Sequence, residues 1–401
     1  MTREEFEVLL LPEVRDAVER NLERDPLQTA LDRRIPHARE VATQVKYLRR
    51  ARTKLPSLWE ARCIIPPRAF EQSSSEECAA AKRLSGESVL DLTCGLGVDA
   101  MTLARRFARV VTVERDEVLA DALRENMRRM GIGNVEVVTS SAEEYVASCR
   151  ERFDWIYADP DRRTTEGRRS VRMEECSPDV TALRPELRRL SDRLAVKCSP
   201  LFDVDEAFRI FGRCGAEAVS LRGECKEVMI YADGRQPTVA AEAIGIGRFE
   251  AAREAAACEP CAEAFDPDAY AWLVIPDVAL QKARLTLRHL RGKADAWSNN
   301  SFAFAREKPE GVLGRVLPVE RIEPYDPKAL RRELRGTGVD ILCRDFPFSP
   351  DEVRRRTGMR SGAECRIALT RVAGRCITVR IGDERQIACR CQREDTRGGG
   401  K

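Results

Sequence analysis

The segment from residue 76 to about 232 predicts an α/β fold, a parallel sheet with helices on both faces. Three observations predict it. Short apolar runs alternate with helical stretches along the segment. A turn with two glycines, Asp91-Leu92-Thr93-Cys94-Gly95-Leu96-Gly97, stands where the first run ends and a helix opens. An acid, Glu114, closes the second run.

The elements follow in order. Residues 1–75 read as a helical region, with Leu9, Leu10, Val14, Ala17, Val18 and Leu22 at helical spacing. Pro56, Pro66 and Pro67 break that pattern. Ser73-Ser74-Ser75-Glu76-Glu77 offers an N-cap and first-turn acids to a helix through Ala79–Arg83. Residues 76–235 then form the sheet domain. Its strands are expected at Ser88–Leu92, Val110–Glu114, Val135–Val138, Phe153–Ala158, Leu194–Lys197 and Val228–Tyr231, with helices at Val98–Phe107 and Glu117–Met130. Residues 236–320 read as a small α+β domain, with strand-like runs Val239–Ile246 and Trp272–Ile275 and a helix near Val278–Leu290. Residues 321–393 read as a second one, closed by a meander of Cys365–Val372 and Cys376–Ile381. The glycine-bearing tail, 394–401, is expected to be disordered.

Composition narrows the function. With 401 residues, 43% hydrophobic and 34% charged, the chain is a multidomain globular protein. No apolar run nears the ~18 residues that span a bilayer, and the charged opening Met1-Thr2-Arg3-Glu4-Glu5 is no signal peptide. A cytoplasmic protein with no membrane partner is expected. A net charge of +3 does not by itself indicate nucleic acid. Arginines cluster, however, at 162–163, 168–172, 331–332 and 354–356. Such clusters either track phosphates or form solvated helix faces. The fifteen cysteines read as reduced thiols. Cys258, Cys261, Cys389 and Cys391 could offer four thiolates to zinc, but the pairs lie far apart and no metal is expected. His37 and His289 sit in charged helical surroundings, so both are expected at the surface without a catalytic role.

The loop after the first strand carries the chemistry. Gly95 and Gly97 allow a tight turn and close approach of a ligand, and the following helix offers free N–H groups. Gly95-Leu96-Gly97-Val98-Asp99-Ala100 also fits a dinucleotide fingerprint, so the glycines do not choose a cofactor. Asp91 does: beside a pyrophosphate it repels, and toward a cationic amine it attracts. Its bland alternative is a capping aspartate. Glu114, at the end of the second strand, is placed to accept hydrogen bonds from ribose hydroxyls.

Val89–Ala100 resembles the first motif of class I S-adenosylmethionine-dependent methyltransferases, Glu114 their second, and Asp154–Pro160 their fourth. The resemblance implies a Rossmann-like core with S-adenosylmethionine as cofactor. It places Asp91 and Gly95 at the methionine and ribose side, Glu114 at the ribose and Ser140-Ser141-Ala142-Glu143 near the adenine, and adds Thr93, Cys94, Gly97 and Arg115 to the cofactor-binding residues. Asp159 would stand beside both cofactor and acceptor. Gln72 and Ser74 precede the first strand by one helix and would fold over the cleft, unless Ser73–Ser75 is a plain N-cap. In amino-methyltransferases the fourth motif continues Pro-Pro-aromatic, whereas here Asp159-Pro160-Asp161-Arg162-Arg163 follows. Asp159 and Pro160 match. Asp161 reads as an extra acceptor or base and Arg162 as a stacking or phosphate contact, or the two form a structural ion pair.

The whole chain resembles bacterial methyltransferases with a C-terminal THUMP-like domain preceded by a ferredoxin-like one, and more distantly trimethylguanosine synthases. Lys54–Trp59, Glu71–Glu76, Asp159–Arg163, Ile275–Ala283, Asn299–Ser301 and Cys343–Phe348 carry the match. The resemblance implies an RNA substrate, ribosomal or transfer, methylated on an exocyclic base nitrogen. A protein or small-molecule acceptor is the alternative, and an RNA-binding protein with a degenerate core is a third. The intact Asp91, Gly95, Gly97, Glu114 and Asp159-Pro160 argue against degeneracy.

Overall fold

The computed structural model describes residues 1–161, 172–254, 259–261 and 264–382. The chain divides into two compact units, one of residues 1–221 with 226–238, the other of 222–225 with 239–401.

The first unit opens with helices Arg3–Leu10, Pro12–Arg20, Pro26–Leu31, Ala38–Lys54, Pro56–Glu60 and Pro67–Gln72. Of the prolines expected to break the pattern, Pro56 and Pro67 instead start helices and Pro66 is the N-cap of the second; Pro12 and Pro26 likewise stand at first helical positions, where no N–H is needed. Ser75 caps the next helix, Glu76–Ala81, by accepting from the Cys78 N–H.

Seven strands follow: β1 (Gly86–Asp91), β2 (Phe107–Glu114), β3 (Val135–Thr139), β4 (Trp155–Ala158), β5 (Leu194–Cys198), β6 (Gly215–Leu221) and β7 (Glu224–Ala232). Within this unit the sheet order is β3-β2-β1-β4-β5-β7-β6. β1 pairs in parallel with β2 and β4, β3 with β2, and β5 with β4, while β7 runs antiparallel to β5. The order turns back between β1 and β4, so the loops after β1 and β4 diverge and leave a crevice at the strands' C-terminal ends. The helix after β1 is shorter than expected, Val98–Leu103, because β2 already begins at Phe107. Helix Glu117–Arg129 presents Ala120, Leu123 and Met127 to the buried side.

The second unit holds β8 (Thr238–Ala243) and β9 (Gly247–Ala252), adjacent strands where one run was expected. Beyond them come β10 (Trp272–Pro276), β11 (Ala303–Ala305), β12 (Gly314–Pro324), β13 (Gly338–Cys343), β14 (Arg360–Ser361), β15 (Cys365–Val372) and β16 (Arg375–Ile381). These seven form one sheet ordered β11-β10-β12-β16-β15-β13-β14. The boundary expected at 320 falls inside β12, and this is a correction. β12 pairs with β10 through Gly314–Pro318 and with β16 through Val319–Pro324, so one strand joins both expected domains. The helix expected near Val278–Leu290 is two short ones, Val278–Lys282 and Thr286–Leu290, separated at Arg284, whose φ is +56°. His37 is exposed as expected, but His289 is buried, because its helix turns it toward the Leu313 backbone and the Phe249 ring. The expected tail, Arg162, Arg163, Cys258, Cys389 and Cys391 lie outside the described residues.

Candidate active site

The loops after β1, β2, β3 and β4, with segment 66–74, surround a cleft of about 580 Å³. This is ample for a nucleoside-sized ligand. Gln72, Ser74, Thr93, Cys94, Gly95, Glu114, Arg115, Ser141, Ala142, Asp159, Pro160 and Asp161 all line it. Asp91 and Gly97 do not. Lys197 also lines it.

Asp91 was expected to face a cofactor amine, and the structure turns it inward. It pairs in register with Thr112 of β2, so both side chains leave the sheet on one face. The wholly buried carboxylate accepts from the Thr112 hydroxyl at 2.8 Å and from the Thr93 N–H at 3.0 Å. Burial pushes its pKa up to about 7. The Thr93 hydroxyl donates to Asp91 at 3.4 Å and accepts the Asp159 N–H at 2.6 Å. Asp91 therefore braces the first motif against the fourth.

Glu114 does face the cleft. Its Oε2 accepts the Gly95 N–H at 2.9 Å and its Oε1 the Asp116 N–H at 3.0 Å. Burial raises its pKa. Each oxygen keeps a further lone pair for a ligand. Gly95 has φ +56°, and a Cβ there would meet nothing within 4 Å. Gly97 is required for packing instead of ligand approach: with φ +82°, a Cβ would lie 2.2 Å from Leu123 Cδ1. Cys94 is buried, which lifts its thiol well above the ordinary range and leaves it unreactive. Ser141 caps helix Ala142–Ser148 in a reciprocal box with Glu144.

Asp159 follows β4. Its Oδ2 accepts from Lys197 Nζ at 2.6 Å, and the same ammonium donates to Ser74 Oγ at 2.9 Å. Asp161 is held by its backbone, which exchanges hydrogen bonds with Ser177 at 2.8 and 2.9 Å. Behind the cleft, Lys82 is 2% exposed, with Nζ 2.8 Å from Asp99 and 3.3 Å from Glu227. The Tyr157 hydroxyl donates to Asp99 at 2.8 Å. Sequence reasoning missed Lys82, Lys197 and Glu227. The one available signal was a lysine ending the apolar run Leu194–Lys197.

Comparison with known proteins bears on this geometry. A family model described as a methyltransferase domain matches residues 89–166, and one described as THUMP domain-like matches 314–381. An uncharacterized S-adenosylmethionine-dependent methyltransferase of Mycobacterium tuberculosis is 26% identical over 337 residues, 81% of this chain and 90% of that protein. The chain is an S-adenosylmethionine-dependent methyltransferase with a THUMP-like segment. A crystal structure of a candidate methyltransferase from Porphyromonas gingivalis W83 shares the fold of this methyltransferase, with a TM-score of 0.78 at 23% identity, over 96% of this chain and 99% of that one. The ribosomal RNA small subunit methyltransferase J of Francisella philomiragia is 36% identical over 100 residues, 22% of this chain and 42% of that protein. A 23S rRNA (uracil-C5)-methyltransferase of Xylella fastidiosa is 42% identical over 80 residues, 19% of this chain and 18% of that protein.

The cleft of the methyltransferase fits its cofactor. The spare lone pairs of Glu114 suit a diol, and the open backbone at Gly95 admits a ligand against the loop. Among the described residues no cluster of His, Cys, Asp and Glu could hold a metal ion, and no helix is long and apolar enough to cross a membrane.

Proposed function

We propose that this methyltransferase modifies an exocyclic base nitrogen of RNA. The observation that carries the reading is Asp159. It lines the cleft in an Asp-Pro turn after β4, and among the described residues its Oδ1 has no hydrogen-bond partner. A carboxylate oxygen accepts only, so it selects an acceptor group that donates a hydrogen bond, as an exocyclic base NH₂ does.

S-adenosylmethionine supplies an electrophilic methyl group when bound. Glu114 accepts from the ribose hydroxyls, with Arg115 beside it. Thr93, Cys94 and Gly95 border the methionine side, Ser141 and Ala142 the adenine, and Gln72 and Ser74 close the cleft. Asp159 Oδ1 would hold the acceptor N–H and orient its nitrogen toward the bound cofactor, and Pro160 stiffens the turn. One N–H proton leaves past Oδ1 to water. Alignment of this kind is worth up to roughly 7–11 kcal/mol.

RNA as acceptor is supported by the THUMP-like match and by the two partial relatives that act on ribosomal RNA. The second unit adds cations. Arg331 and Arg332 are exposed on helix Pro327–Leu334, and Arg355 and Arg356 on the neighbouring helix Pro350–Thr357. Mass spectrometry of total RNA nucleosides from cells with and without the gene tests the reading. The expected result is loss of one N-methylated nucleoside. An unchanged nucleoside profile would overturn it.

A further inference from the structure

The acid that meets the acceptor is gripped from behind. Lys197 ends β5, Asp159 follows β4, and these strands are parallel neighbours. The 2.6 Å contact between them leaves the lysine side chain 13% exposed and the aspartate 31%. Burial works against the ammonium, but Asp159, Glu227 and Asp99 outweigh it and raise its pKa. Asp99 is already engaged by Lys82 and Tyr157. Asp159 is thus the carboxylate that Lys197 holds, and Ser74 fixes the lysine from the other wall.

We propose that Lys197 is a positioning residue: it locks Asp159 through Oδ2, so that Oδ1 alone meets a methyl acceptor, which must then be a hydrogen-bond donor. This rests on the base-nitrogen reading given above.

The lock has a consequence that a merely structural lysine lacks. An asparagine at 159 offers one acceptor oxygen and one NH₂ donor. An ammonium has no lone pair, so Lys197 must take the oxygen. The NH₂ is then left facing the acceptor's own N–H bonds, donor against donor. With the lysine gone, the amide is free to turn over and present its oxygen. Lys197→Met therefore rescues Asp159→Asn, although each change alone is harmful. A lysine that only supports the fold would make the two losses add.

The test is tritiated methyl incorporation into RNA from cells lacking the gene, measured for the full chain. The variants are Asp159→Asn, Lys197→Met, Lys197→Arg and the double Asp159→Asn/Lys197→Met. Asp159→Asn should lower kcat on the order of a hundredfold. Lys197→Met should lower kcat about tenfold while S-adenosylmethionine affinity stays within about twofold, and Lys197→Arg should keep part of the rate. The double variant should exceed Asp159→Asn by about tenfold. A second readout is independent of activity: the Nζ resonance of a protected Lys197 ammonium in nitrogen-15 spectra, expected to shift in Asp159→Asn. If Lys197→Met fails to fold, Lys197→Arg and the double variant, which loses one charge of each sign, carry the test. A double variant no better than Asp159→Asn, or a wild-type kcat in Lys197→Met, would overturn the proposal. Wild-type protein that labels no RNA would instead overturn the RNA reading, and the proposal with it.

Discussion

The two units differ in where they concentrate charge. The first buries it: Lys82, Asp99 and Glu227 meet within 3.3 Å, almost out of contact with solvent, directly behind a cleft that holds Lys197 and Asp159. The second buries Asp277 and Arg380, the latter 2.6 Å from the half-exposed Glu333, but packs mainly apolar and aromatic side chains inside. Phe265, Tyr270, Trp297 and Phe304 lie with ring centroids 5.1–6.2 Å apart, and Arg331 and Arg332 stay exposed. Taking paired charges out of water usually costs more than their attraction returns. Such a cluster is tolerated where a site needs oriented groups. A unit that only has to hold a polyanion can leave its cations outside, where phosphates reach them. On the RNA reading proposed above, the difference separates chemistry from grip.

The sharpest way to break that separation is Asp159→Ala. It should lower methyl transfer on the order of a hundredfold or more, while S-adenosylmethionine affinity stays nearly intact, since the lost group orients the acceptor. Wild-type-like incorporation of labelled methyl by this variant would move the acceptor site elsewhere. Glu114→Ala should do the reverse and weaken cofactor binding by about 10–150-fold. That is the loss expected from hydrogen bonds to a charged acceptor worth about 1.5–3 kcal/mol. Calorimetry showing binding within about twofold of wild type would remove Glu114 from the ribose.

The second unit is tested through salt. Replacing Arg331, Arg332 and Arg355 with alanine should weaken RNA binding about tenfold and lower the slope of log affinity against log salt by about 2, if all three meet phosphates of a single strand. The same variant should bind S-adenosylmethionine as wild type does. An unchanged slope in filter-binding titrations would place the RNA surface elsewhere.

These tests also divide what sequence could reveal from what it could not. The loop 91–97, Glu114 and Asp159-Pro160 were legible because each is a local device: a turn, a strand end, a short motif. All except Asp91 and Gly97 reach the cleft. Asp91 was misjudged because strand register, not motif, sets its face. The roles of Lys197 and Lys82 could not be read locally because their partners stand far along the chain, at Asp159 and Glu227. The domain boundary at 320 failed for a related reason. An eleven-residue strand that serves two partners looks like two shorter elements when only local pattern is read.

His289, one of the polar side chains buried in the second unit, gives the smallest effect. It is 7% exposed, and its Nε2 accepts the Leu313 N–H at 2.8 Å. The ring must therefore be neutral, with its proton on Nδ1. Burial, helped by the nearby Lys293 ammonium, pushes its pKa down to about 4. In an unfolded chain the imidazole titrates near 6.5. As pH falls through that value the unfolded state takes up a proton that the folded state refuses. The stability present above about 6.5 is then lost progressively toward pH 4, by about 3 kcal/mol as an upper bound. His289→Gln keeps an acceptor for Leu313 and removes the titration. Its loss of stability on acidification should therefore be smaller than that of wild type, although carboxylates elsewhere act on both proteins alike. Urea unfolding at pH 7 and pH 4.5 measures the difference. Equal losses in the two proteins would mean that the ring accepts its proton without opening the unit, and that this buried site is softer than the packing around Phe249 implies.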